Sequence, residues 1–153
     1  MSGSAFNLKR FQGSQEPLFD DAIRIRVEVY VDEQEADPET EPDNFDTEQC
    51  MHWLVYTEAL SQPIATGRMF PDPQNASIGH IGRMAVLKPY RGLGIGHLIL
   101  KDMLKLAPES GYQELLLEAQ VYAAAFYQKL GFMTEGNEFP LENIPHILMR
   151  KRI

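Results

Sequence analysis

Two hydrophobic periods run along the chain, and the change between them falls past its middle. Ala5–Phe11 reads as a short first strand, closed by the turn-forming Gln12-Gly13-Ser14. Across Glu16–Val31, Leu18, Phe19, Ala22, Ile23, Ile25 and Val27 recur at helical spacing, while the β-branched Val29 and Val31 blur the far end. Ala36–Asn44 carries Pro38 and Pro42 among acids, which predicts a loop or a broken short helix. Cys50–Tyr56 and Pro63–Phe70 read as strands, and Pro71–Asn75 as the turn that follows. Ser77–Leu87 is a third strand of this group. Gly79 and Gly82 inside it predict a bulge or the close approach of other groups.

From Gly94 the period lengthens. Ile95, Leu98, Ile99, Met103, Leu104 and Leu106 predict one broad apolar helix face, with the helix ending near Ser110-Gly111. Glu114–Glu118 follows as an apolar strand, and Val121–Leu130 as a helix stopped by Gly131. Phe132–Thr134 returns to extended chain, and Ile144–Met149 is the last strand, ending before the basic tail Arg150–Arg152. No repeat or linker interrupts the series, so residues 1–153 are expected to form a single domain. The order predicts an α+β plan around one mixed sheet.

Composition narrows the classes. Apolar residues are 44% and charged residues 24%, an ordinary globular balance, and no apolar run reaches the ~20 residues of a membrane span. The opening Met1-Ser-Gly-Ser-Ala-Phe6 has no secretion-signal pattern. Cys50 is the only cysteine, which excludes an internal disulfide and points to a reducing, cytoplasmic setting. Its expected fate is that of a small buried hydrophobe rather than a nucleophile.

The net charge of -8 argues against nucleic-acid binding. Between Arg26 and Arg68 there is no Lys or Arg, while Asp32, Glu33, Glu35, Asp37, Glu39, Glu41, Asp43, Asp46 and Glu48 fall in that gap. This predicts either a solvated acidic loop or a negative rim that attracts cationic substrates. No metal is expected. His52, His80, His97 and His146 have no i,i+3 or i,i+4 partner, and the pair Cys50 and His52 is too few for a site.

The strongest chemical signal is Met84-Ala-Val-Leu-Lys-Pro-Tyr-Arg-Gly-Leu-Gly-Ile-Gly-His97. A buried strand runs through a turn into alternate glycines that open an amphipathic helix. Glycines admit close backbone approach, and a helix start offers unpaired N–H groups and a positive dipole end. With Arg91 beside it, the loop predicts a phosphate-bearing ligand, best a pyrophosphate. It is not a P-loop, because Gly96 is followed by His97 and Leu98. Nor is it a dinucleotide fingerprint, because it reads G-x-G-x-G and lies past mid-chain.

Arg91-x-x-Gly94-x-Gly96 resembles the acetyl-CoA signature of the GNAT N-acetyltransferases. Ala124-Ala-Phe-Tyr-Gln-Lys-Leu-Gly-Phe132 is similar to that family's helix-to-strand segment. Arg26-Val-Glu-Val-Tyr-Val-Asp-Glu-Gln34, the acids Glu41, Asp43 and Asp46, His52, and Ile144-Pro-His-Ile-Leu-Met149 resemble the ElaA/YjcF-like branch. Two departures stand out: that group usually has phenylalanine at Tyr30 and glycine at Asn143.

The resemblance implies a GNAT acyl-CoA N-acyltransferase fold, an α/β three-layer arrangement whose mostly antiparallel sheet is splayed at the fourth strand. It implies acetyl-CoA as co-substrate, direct transfer to a primary amine (a small amine, a polyamine or a peptide amino group), no membrane partner and a possible homodimer. The implied cofactor contacts are Met84, Ala85 and Val86, the loop Arg91, Gly92, Leu93, Gly94, Ile95, Gly96 and His97, and then Gln120, Ala123, Phe126 and Tyr127. Tyr127 is the implied general acid for the departing thiolate, since a phenol of pKa near ~10 keeps its proton at neutral pH. An alkyl ammonium is only about one part in a few thousand free base at pH 7, so a base is also needed. Glu33 and His146 lie in the branch motifs and are preferred over His52 and His80. Arg26 and Arg83 contact substrate or form structural ion pairs. The alternative to an enzyme is an acyl-CoA-binding sensor without turnover.

Overall fold

The computed structural model describes residues 5–153, so the Met1–Ser4 part of the opening read for a secretion signal lies outside them. The strands are β1 (Phe6–Gln12), β2 (Met51–Thr57), β3 (Pro63–Pro71), β4 (Ile78–Val86), β5 (Glu114–Gln120), β6 (Met133–Leu141) and β7 (Ile144–Arg152). The α-helices are α1 (Leu18–Arg26), α2 (Ile95–Leu106) and α3 (Ala124–Gln128). The strands form one mixed sheet in the order β1-β2-β3-β4-β5-β7-β6. Only β4 and β5 run parallel among the registered pairs. This is the predicted α+β, mostly antiparallel plan. Among the described residues no helix is long and apolar enough to cross a membrane.

The chain divides into two compact units, the first containing residues up to Phe70 with Arg83–Leu104, the second Pro71–Gly82 with Lys105–Ile153. In the first, Trp53, Leu54 and Val55 of β2 and Ile64, Ala65 and Met69 of β3 are buried in unbroken runs, as strands covered on both faces must be. The Trp53 indole N–H donates to Asp102 of α2 at 2.8 Å, so the largest core side chain leaves no polar atom unsatisfied. On α2 the buried stripe is Ile95, Ile99, Leu100 and Met103. Leu98, expected on that face, is 37% exposed. At 100° per residue it lies roughly 120° from the centre of the buried arc.

The predicted helix over Glu16–Val31 is shorter than the pattern suggests. α1 stops at Arg26, and Val27–Glu33 continues in wider π-helical winding, with Gln34 N–H donating to Val29 C=O at 3.1 Å. Val27, Val29 and Val31 are weak helix formers, and the wider turn accompanies long-range bonds made by Tyr30 and Glu33. Ala36–Asn44 holds one short 3₁₀ turn at Pro38–Thr40, started by the Asp37 side chain accepting from Glu39 N–H.

In the second unit β4 pairs in parallel with β5 over Ile78–Ile81 and Glu114–Leu117. Gly79 meets the expectation of close approach: a Cβ there would stand 2.7 Å from a ring carbon of Tyr112 and 2.9 Å from Leu115 Cδ2. Gly79→Ala should therefore lower stability by about 1–3 kcal/mol. Thermal denaturation checks this, and an unchanged Tm would mean that the Tyr112 ring yields without cost.

Gly111 and Gly131 act as the predicted stops, with φ of 85° and 96°. At each, the paired bonds of a Schellman cap close the helix end: Tyr112 N–H to Ala107 C=O with Gly111 N–H to Pro108 C=O, and Phe132 N–H to Tyr127 C=O with Gly131 N–H to Gln128 C=O.

The helix predicted over Val121–Leu130 is α-helical only over Ala124–Gln128, after a 3₁₀ turn at Val121–Ala123, and the last two strands run past their predicted ends. β6 extends to Leu141, although nearly all of it is exposed, because this edge strand is held by pairing to β7 rather than by an apolar face. β7 continues through the basic tail to Arg152, where Arg150 pairs with Glu114 and Glu135, each at 3.1 Å. The β6–β7 turn places Glu142 and Asn143 at φ 49° and 63°. Asparagine tolerates that left-handed conformation better than other non-glycine residues, which accounts for Asn143 in place of the glycine of the branch.

Candidate functional site

In the first unit, the end of β4 is held from several sides. Arg83 has φ 49°, rare for a side-chain-bearing residue, and so puts a kink before Met84. Its guanidinium is anchored by Glu41 at 2.6 Å and Asp43 at 3.2 Å, and lies 5.4 Å over the Tyr30 ring. The Tyr30 hydroxyl donates to Met84 C=O at 2.7 Å, and Leu87 N–H donates to Ile64 C=O of β3 at 2.9 Å. Tyr30 was identifiable in the sequence only as a departure from phenylalanine; its hydroxyl supplies the bond that phenylalanine would lack.

A 3₁₀ turn at Lys88–Tyr90 leads into the glycine loop. Gly92 and Gly94 have φ of 79° and 80° with open space where a Cβ would stand. Backbone conformation, not crowding, requires glycine there. The first helical bond of α2 runs from Leu98 N–H to Gly94 C=O at 3.0 Å, so the amides of Ile95, Gly96 and His97 precede the ladder. That is the donor arrangement of an anion site. Gly92, Leu93, Gly94 and His97 are exposed, and buried Ile95 anchors the helix start.

Arg91 ties the loop to two other elements. Its Nε donates to Val86 C=O at 2.8 Å, and Nη1 and Nη2 donate to Glu33 at 2.6 and 2.7 Å. Glu33 is thus a bidentate ion-pair partner rather than a bare solvated helix end. The hydrogen bonds from Arg91, outweighing a small burial effect, hold its carboxyl below the usual range.

The acidic segment points partly inward. Glu41 and Asp46 grip buried Arg26, Asp43 and Asp46 grip Arg68, and Glu41 and Asp43 hold Arg83. Arg26 and Arg83 are therefore structural ion-pair members. Burial would raise the Asp46 carboxyl, but its hydrogen bond and charge interaction with Arg26 outweigh that and keep it strongly lowered; Asp43 is likewise lowered despite burial, chiefly by Arg68. Asp32, Glu35, Asp37, Glu39 and Glu48 stay exposed, so the negative rim is thinner than the sequence suggests.

Asp46, Cys50 and His52 offer ligand atoms within 4.8 Å of one another. The Asp46 oxygens already accept from Arg26, Arg68 and Asp43 N–H, and two guanidinium charges beside them oppose a cation. Cys50 is buried and its thiol is pushed up to about 12 by burial, which leaves no thiolate to act as a nucleophile at neutral pH.

His52, stacked on Phe11 at 4.9 Å, is pushed down to about 4 by burial. A base of that strength is spent far below neutral pH. Because the folded value lies below the unfolded ~6.5, the unfolded chain takes up the proton first as pH falls. Stability should drop by on the order of 2 kcal/mol between pH 7 and 5, while the contribution of the carboxylates is fully present above their unfolded value of ~3.9 and changes little over that range. Denaturant melts of wild type and His52→Gln at both pH values check this. An equal loss in both proteins would assign it elsewhere.

In the second unit Tyr127 is buried, edge-on to Phe126 at 5.0 Å and to Phe132 at 6.0 Å. Gln120 and His146 face each other across the β5–β7 register, and Ala123 closes the 3₁₀ turn before α3. His146 Nδ1 lies 2.7 Å from Ile144 C=O. A carbonyl only accepts, so Nδ1 is the donor in this contact, which leaves Nε2 as the ring nitrogen able to accept a proton. His80 instead contacts Asp72 at 2.7 Å, in the turn that opens β4.

The sheet, the kinked fourth strand and the glycine loop opening α2 define an acyl-CoA N-acyltransferase fold. Residues 26–153 match the acetyltransferase (GNAT) domain model, and the chain belongs to that family. It is similar to two Bacillus subtilis proteins: the uncharacterized protein YyaT, 40% identical over 96% of each chain, and the uncharacterized N-acetyltransferase YjcF, 33% identical over 94% of this chain and 99% of that one. Among solved structures, Escherichia coli ElaA is similar with a TM-score of 0.85 at 23% identity, over 96% of this chain and 99% of that one.

Proposed function

We propose that residues 1–153 act as one N-acetyltransferase domain, moving the acetyl group of acetyl-CoA directly to a primary amine in a ternary complex. The observation that carries this reading is the Gly92–Gly94 loop, whose left-handed glycines lead into the unpaired amides at the start of α2. Those amides take the pyrophosphate, and backbone groups of Met84, Ala85 and Val86 take the pantetheine chain and the thioester carbonyl. Donors set in advance there stabilise the oxyanion as it develops.

The amine lone pair attacks the carbonyl carbon, the C–S bond breaks, and the thiolate takes the Tyr127 proton. His146 Nε2 receives the proton that the ammonium must lose. Glu33 is the weaker candidate for base, because both its oxygens are engaged by Arg91. Gln120, Ala123 and Phe126 complete the cofactor contacts. Exposed Asp32, Glu35, Asp37 and Glu39 favour a cationic acceptor, in a cytoplasmic setting where acetyl-CoA is available.

A screen of primary amines with acetyl-CoA, read by thiol release, tests the proposal beside calorimetry with CoA. Turnover with at least one amine class supports it. Binding of CoA with no turnover across small amines, polyamines and peptides favours the sensor reading instead, and absence of CoA binding rejects both.

A further inference from the structure

The Glu33–Arg91 pair joins the π-helical segment to the glycine loop across 58 positions of sequence. It is bidentate, at 2.6 and 2.7 Å, and the third bond from Arg91 goes to Val86 C=O. The guanidinium charge next to the candidate pyrophosphate site is therefore matched by a carboxylate before any anion arrives. A fork that takes a carboxylate bidentately also takes a phosphate bidentately, so the two anions contend for one group. Neither side chain is buried deeply enough to be locked: Arg91 is 40% and Glu33 35% exposed.

We infer that Glu33 is an internal competitor for the donor's pyrophosphate, a clasp on Arg91 that must open when CoA binds. The inference rests on the acetyl-CoA reading above. It makes Glu33 a positioning residue acting through Arg91. Its effect on CoA affinity is opposite in sign to that of a residue that merely braces the loop. Removing a brace weakens binding; removing a competitor strengthens it.

The test is calorimetric titration of CoA into wild type, Glu33→Gln, Arg91→Gln and the double variant at low ionic strength. Both positions are exposed, and thermal melts confirm that each variant is folded. Glu33→Gln should bind CoA about three- to tenfold more tightly, and Arg91→Gln more weakly than wild type. In the Arg91→Gln background the Glu33 substitution should change Kd by less than about twofold. Unchanged or weaker binding by Glu33→Gln overturns the clasp. So does a gain that survives undiminished without Arg91, since that would be plain charge repulsion. A wild-type chain that does not bind CoA sinks the acetyl-CoA reading itself, and the clasp with it.

Discussion

Tyr127→Phe should lower turnover at neutral pH by about a hundredfold or more while leaving CoA affinity within about twofold of wild type. The substitution keeps the ring that packs edge-on to Phe126 and Phe132, so the surrounding shape is preserved and only the hydroxyl is lost. A thiolate that leaves without a proton must depart as the conjugate base of a group with pKa near ~8.5, which is slower at neutral pH than departure as the thiol. Once the amine screen has supplied an acceptor, kcat from thiol release and CoA affinity from calorimetry separate the chemical effect from a folding one. Turnover within threefold of wild type at neutral pH would remove Tyr127 from the acid role.

The largest stability effect is expected at Arg26. Its side chain is 1% exposed, and those of Glu41 and Asp46 are 0% and 2%. Arg26→Met leaves both carboxylates buried with a partner gone, and breaking a buried pair from one side costs about 3–5 kcal/mol. For a chain of this size that is a fall in Tm on the order of 10 °C. Replacing the pair together, as Arg26→Met with Glu41→Leu, should recover at least half the loss, because one stranded charge goes with its partner. Chemical denaturation of the three proteins measures this. A loss below about 1 kcal/mol in the single variant would mean that the network contributes little to folding.

Much of the architecture could be read from periodicity, because burial repeats along the chain. The strands of the first half, the long helix after Gly94 and the helix stops at Gly111 and Gly131 all follow from local pattern and turn chemistry. The conformation of the glycine loop was legible for the same reason: positive φ at a helix start is a local need that glycine spacing reveals. What could not be read was direction. Nine acids in a run without basic residues look alike in sequence, yet Glu41, Asp43 and Asp46 turn inward to Arg26, Arg68 and Arg83, while Asp32 and Glu35 face outward. The fate of the three inward acids depends on partners up to 42 positions away, as in Glu41 and Arg83.

The π-helical winding after Arg26 was hidden for a related reason: its long-range bonds, from the Tyr30 hydroxyl and the Glu33 carboxylate, are made to groups far along the chain. β6 was underestimated because an edge strand can form from backbone pairing alone, without a hydrophobic stripe.

The bidentate contact between positions 33 and 91 also bears on how such sequences can diverge. Glutamine in place of Arg91 would keep hydrogen-bond donors but carry no charge for a carboxylate to grip. A lineage that exchanged Arg91 for glutamine would leave the Glu33 carboxylate with no guanidinium to grip and so with no hold on the loop. The two positions should therefore drift as a linked pair, with an acid at 33 retained where arginine stands at 91 and released from selection where glutamine does.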